Sequence, residues 1–119
     1  MNELAAAEPG FTPSAVFDAD ALTELEGLFG RPRLMDLLGV LDREIVLRLD
    51  PPADESAQLA RDAHVLVSSS GALAFGDLSS ACSALEQACL RGGDIAAQLG
   101  TAVHAARHAR LAIATLRGV

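Results

Sequence analysis

The sequence has no tryptophan and no tyrosine, and its four phenylalanines are the only aromatic residues, 3% of the chain. Strands draw on aromatic and β-branched side chains, so a chain that is 50% hydrophobic yet built mostly on Ala and Leu favours helices over sheet. A glycine-rich phosphate loop is also lacking. Neither G-x-x-x-x-G-K-[ST] nor G-x-G-x-x-G occurs, which excludes a nucleotide site of those types, and 119 residues leave no room for a kinase with its own nucleotide site. No apolar run approaches the roughly 18 residues of a membrane span, and no basic region precedes an apolar one near residue 1. Neither secretion nor anchoring is signalled, and a cytoplasmic location is expected. Basic residues are scarce, nine against sixteen acidic ones, for a net charge of -7. That balance sets the chain against nucleic acid and anionic membrane and points to a protein partner. The two cysteines, Cys82 and Cys89, sit seven apart on one expected helix. They are then about 10 Å apart along its axis, too far for a disulfide, and read as small buried apolar residues.

What remains is enough for one domain with one core in 119 residues. Pro9, Gly10 and Pro13 mark residues 1–17 as a flexible leader, with the domain over 18–119. The acidic cluster Asp18 to Asp20 caps a short helix to about Leu28, which Gly30 stops. Pro32 suits the first turn of a second helix, with Leu34, Leu37, Leu38, Leu41, Ile45 and Leu49 at helical spacing. Asp50, Pro51 and Pro52 break it. A third helix is predicted from Ala53–Ser56 to about Leu73. A fourth is capped by Asp77, with Leu78, Cys82, Leu85 and Cys89 inward, and ends at Gly92 and Gly93. Asp94 caps a fifth, whose Ile95, Leu99, Ala102, Ala106, Ala109, Ile113 and Leu116 form the seam of an antiparallel bundle. The expected fold is all-α, an up-down-up-down antiparallel four-helix bundle with the short extra N-terminal helix laid across one end.

On the third helix Leu59, Ala63, Leu66, Ser70 and Leu73 cluster on one side at 100° per residue, and His64 falls nearly opposite. The imidazole is therefore expected to project into solvent. Ala60, Arg61, Val67, Ser68 and Gly71 are expected around it on the outward face, mostly short side chains that would let another protein approach.

The segment Ala63-His64-Val65-Leu66-Val67-Ser68-Ser69-Ser70-Gly71-Ala72-Leu73-Ala74-Phe75, followed by Leu78, Cys82 and Leu85-Glu86, resembles the histidine phosphotransfer (HPt) family of two-component phosphorelays. The likeness runs over about residues 18 to 117. It implies that His64 takes and gives up a phosphoryl group. The implied partners are the receiver domain of a response regulator and that of a hybrid histidine kinase, which bring the aspartates and the Mg²⁺. The chain itself would hold no cofactor and act as a phosphoryl carrier, as a monomer, with Ala60, Arg61, Val67, Ser68 and Gly71 binding the partner. A neutral imidazole, the form an exposed histidine mostly takes at cytoplasmic pH, is a competent nucleophile and needs positioning more than activation.

Three positions depart from the family pattern. Val67 and Ser68 stand where the family usually has Lys and Gly, and Ala74 stands where a second glycine is common. The family lysine is thought to steady the phosphoryl oxygens, as a charged donor would. Here Ser68 and Arg61 are candidates to compensate. The alternative is an HPt-like module that docks a receiver or kinase without transferring phosphate. His104 and His108 have a chelating spacing, but with Arg107 and Arg110 they read as a solvated basic stripe, and no metal is expected. Ser69 and Ser70 read as small packing residues whose hydroxyls bond the preceding turn, since no G-x-S-x-G elbow accompanies them.

Overall fold

The computed structural model describes residues 16–119, and within them every regular element is a helix. They are α1 (Ala19–Phe29), α2 (Arg31–Leu49), α3 (Ser56–Ala72), α4 (Gly76–Arg91) and α5 (Ala96–Arg117). Each packs in sequence order, α2 on α3, α3 on α4, α4 on α5, and α5 returns to α2, so the last four close a bundle. Its core is Leu38, Leu41 and Ile45 of α2, Leu59, Ala63 and Leu66 of α3, Leu78, Cys82 and Leu85 of α4, and Ala102, Ala109 and Ile113 of α5. Both cysteines are buried and free.

The local signals that make these helices are visible at their ends. Asp18 accepts the Ala21 amide at 3.1 Å to start α1. Gly30, at φ +84°, ends α1 and opens α2, a backbone state that side chains rarely tolerate, and Pro32 follows in the first turn. Asp94 accepts the Ala96 amide at 2.9 Å at the start of α5. Helix α1 lies against the bundle end made by the start of α2, the α3–α4 turn and the end of α5. The Asp18 amide donates to the Ala74 carbonyl, and Leu22 is buried.

Two sequence expectations change here. The proline-containing part of the leader lies outside the described residues, but Val16 and Phe17, assigned to that leader, belong to the fold. Val16 is buried, and Phe17 stacks on the fully buried Phe75 with ring centroids 5.6 Å apart. Two apolar residues ahead of the capping aspartate cover the open bundle end, which the Pro/Gly composition upstream obscured. Asp77, expected to cap α4, sits inside its first turn, and Phe75 holds the cap position. The turn from α3 is so tight that the chain re-enters helix at Gly76, which leaves the Asp77 carboxylate near the positive end of the helix dipole.

Candidate functional site

Helix α3 buries Leu59, Ala63, Leu66, Ser70 and Leu73, the stripe expected from its periodicity, and thereby turns His64 outward with 70% of its side chain exposed. The Ser70 hydroxyl donates to the Leu66 carbonyl, so this polar residue enters the core with its bond made locally. Across from α3 comes α4, and the two approach closely where small residues meet. A Cβ added to Gly71 would lie 3.3 Å from Ser79 Oγ, and the Ser79 hydroxyl donates to the Val67 carbonyl at 2.9 Å. Glu86 lies two turns further along the same face of α4 as Ser79. That register brings its carboxylate to the imidazole, with Glu86 Oε2 2.9 Å from His64 Nδ1.

This pair decides the chemistry of the ring. An ionised carboxylate only accepts, so in this pair Nδ1 carries the hydrogen, and in the neutral ring Nε2 is then the nitrogen with the lone pair. Glu86 is the more buried partner, 20% exposed against 70% for the histidine, so the carboxylate acts as a fixed post and the ring as the presented group. Side chains on a helix lean toward its N-terminus, and the imidazole accordingly borders a shallow depression lined by Ala60, Arg61, Val65 and Glu86. Both Val65 and Glu86 were missed as site residues. The Leu-Glu pair was legible as a motif, but no single-helix argument could say that it would meet the histidine.

A family model of the Hpt domain matches residues 31–117. The chain belongs to the Hpt domain family. Membership makes it a phosphocarrier module of two-component signalling, a kind of domain that interacts with receiver domains. The match begins after α1, so it covers the four-helix bundle and leaves the short capping helix outside it. No curated protein and no solved structure gives a significant match.

In this Hpt domain the collar around the histidine is narrower than expected. Arg61, Ser68 and Gly71 are exposed, as the sequence implied. Ala60 is buried at 7%, and Val67 is half-buried and packed against the core, so neither stands on the outward face. The cause is the close approach of α4 along that flank, which covers both residues. Ala60 still forms part of the wall of the depression. Val67 thus serves packing rather than the outward face. Arg61 does not reach toward the ring in this conformation. Its Nη2 donates to Gln58 Oε1 at 2.8 Å, one turn toward the helix start.

Beneath Gln58 lies a polar network that periodicity could not reveal. Asp62 is buried at 7%, and its Oδ1 accepts from Arg48 Nη1 at 2.8 Å and from Gln58 Nε2 at 3.0 Å. Arg48 also donates to Glu44 at 2.7 Å. The bond to Glu44, helped by Asp62 and opposed by partial burial, raises the Arg48 pKa above its ordinary value. On the far side, the rings of His104 and His108 stand 4.1 Å apart at centroids. Burial lowers the His108 pKa, with His104 and Arg107 adding to the effect and Asp77 opposing it. Arg110 reaches α2, donating to Asp42 at 2.9 Å. Among the described residues no three His, Cys, Asp or Glu side chains converge on a metal position, and no helix is long and apolar enough to cross a membrane.

Proposed function

We propose that His64 is the phosphoacceptor and phosphodonor of this Hpt domain, relaying a phosphoryl group between receiver-domain aspartates of a hybrid histidine kinase and a response regulator. The observation that carries the reading is the outward imidazole whose Nδ1 is occupied by Glu86 while Nε2 is open. In the first step the Nε2 lone pair bonds to phosphorus, and the bond from phosphorus to the donor aspartate oxygen breaks with its electrons returning to that carboxylate. The neutral ring with its hydrogen on Nδ1 is the reacting form, so no proton has to leave Nε2. The ring becomes a phosphoimidazolium, and its charge faces the Glu86 carboxylate through the Nδ1 hydrogen. In the second step the N–P bond breaks, its electrons return to Nε2, and the acceptor aspartate takes the phosphoryl group.

The partner supplies Mg²⁺ and the aspartate, and this chain supplies a rigid helix that holds one nitrogen in place. Arg61, Ser68 and Gly71 are the surface the receiver meets, with Ala60 as part of its floor and Val67 as packing behind it. The domain works as a cytoplasmic monomer. The second reading is a docking module that binds a receiver or kinase without accepting phosphate. It is favoured by Val67, which packs inward where a cation would face the phosphoryl group.

Incubation with a phosphorylated receiver or hybrid kinase separates the two. An acid-labile, base-stable phosphate on the wild-type chain and none on His64→Gln is the expected result. Binding without labelling of either chain would replace the relay with the docking module.

A further inference from the structure

A phosphoryl group on Nε2 of His64 places roughly two negative charges beside the Glu86 carboxylate. The imidazolium offsets only part of that charge, so a further cation nearby would be stabilising, and all nine Lys and Arg residues of the sequence are arginines. Arg61 is the only one on α3, and it lines the depression that the imidazole borders. The C-terminal side of the histidine offers Val67, Ser68 and Gly71, none of them charged.

Arg48, which reaches α3 at Asp62, is committed to two carboxylates, Glu44 and Asp62. Among the described residues Arg61 has only the neutral oxygen of Gln58, at an exposed position. A hydrogen bond from guanidinium to an amide oxygen is weaker than one to a phosphoryl oxygen, where both partners are charged. Exchange of the first for the second is therefore favourable once His64 carries the group. Gln58 and His64 are six residues apart, so the guanidinium swings from one side of Arg61 to the other, about 9 Å along the helix axis.

Gln58 is not free to give way, because its own amide is oriented. Its Nε2 end donates to the buried Oδ1 of Asp62, which Arg48 also holds, and a flipped amide would set oxygen against carboxylate. The oxygen end consequently points toward Arg61. We propose that Arg61 is a stowed clamp for the phosphoryl group on His64, and that Gln58, set by Asp62, is the positioning residue that holds it back. The unphosphorylated ring is then left clear for an approaching receiver, and the charge arrives after transfer. This inference rests on the reading of His64 as phosphoacceptor.

The test is independent of any receiver. Phosphoramidate is the probe. Nε2 attacks its phosphorus, the P–N bond breaks, and the nitrogen leaves as ammonia with a proton from water. The ³¹P resonance of the phosphohistidine is then titrated with pH in wild type, Gln58→Met, Arg61→Ala and the double variant. A nearby guanidinium favours the dianion, a signature that a merely structural residue would not produce. Relative to wild type, Arg61→Ala is expected to raise the proton affinity of the phosphoryl group about threefold, and Gln58→Met to lower it by a similar factor. The Gln58→Met effect should vanish in the Arg61→Ala background. Identical titrations in wild type and Arg61→Ala would overturn the clamp, even if Gln58→Met failed to fold. A Gln58→Met effect that survived loss of Arg61 would overturn the role of Gln58. Labelling by phosphoramidate with no labelling by any receiver would instead count against the relay and leave the clamp to be judged on its titration.

Discussion

The two nitrogens of His64 face different worlds, one a carboxylate at 2.9 Å and the other solvent. Phosphorylation should therefore fall on Nε2, which ¹H–¹⁵N correlation spectra of the labelled ring distinguish from the Nδ1 product. Glu86→Ala removes the post and frees the ring to rotate and to change tautomer. Transfer is expected to slow about tenfold, as a loss of positioning does, with helical content and receiver binding unchanged. Phosphate at Nδ1, or an unaltered rate in Glu86→Ala, would contradict this assignment. The exposure of His64 was legible from the 100° step because Leu59, Leu66 and Leu73 define the buried side without ambiguity. Its bond to Glu86 was not, since a helical wheel describes one helix and this bond joins two.

At the scale of the element, the backbone at the end of α3 shows why glycine would suit the position of Ala74. The Phe75 amide donates to the Ser70 carbonyl and the Ala74 amide to the Gly71 carbonyl, a helix stop that requires left-handed backbone between them. Ala74 adopts φ +68° there. A Cβ in that region costs energy that glycine avoids, partly offset by the greater freedom of glycine in the unfolded chain. Ala74→Gly is expected to stabilise the domain by about 0.5–1 kcal/mol, read as a higher urea midpoint with an unchanged slope. A lower midpoint would show that the methyl group contributes more through packing than the turn loses through strain. Helix α3 was placed nearly to the residue because Pro51 and Pro52 and the apolar stripe bound it. The burial of Ala60 and Val67 was misjudged, since how closely α4 approaches depends on Gly71 and Ser79 meeting across the pair.

For the whole molecule, the fully buried Cys82 couples the core to pH. Burial pushes its thiol from an ordinary 9.0 up to about 12. Below 9.0 the folded and unfolded chains both carry the neutral thiol, and the group leaves stability unchanged. As pH rises from there toward about 12, the unfolded thiol ionises while the folded one does not, so stability falls across that window. Cys82→Ala should lose stability at neutral pH, by roughly 1 kcal/mol for the small cavity it opens. It should also show a shallower alkaline decline than wild type in denaturant melts. Parallel declines would mean that the thiol is not held neutral by the core.

The amino-acid sequence by itself determined the helical class, the ends of most helices, the buried stripes and the side of α3 from which His64 projects. Each of these depends on residues near in sequence, through propensity, capping and period. Only the tertiary structure decided that Glu86 meets the imidazole, that α4 covers Val67, and that Asp62 reaches Arg48 and steers Gln58 and Arg61. Those outcomes depend on the distance and register between packed helices, and side-chain volumes across the whole core set both.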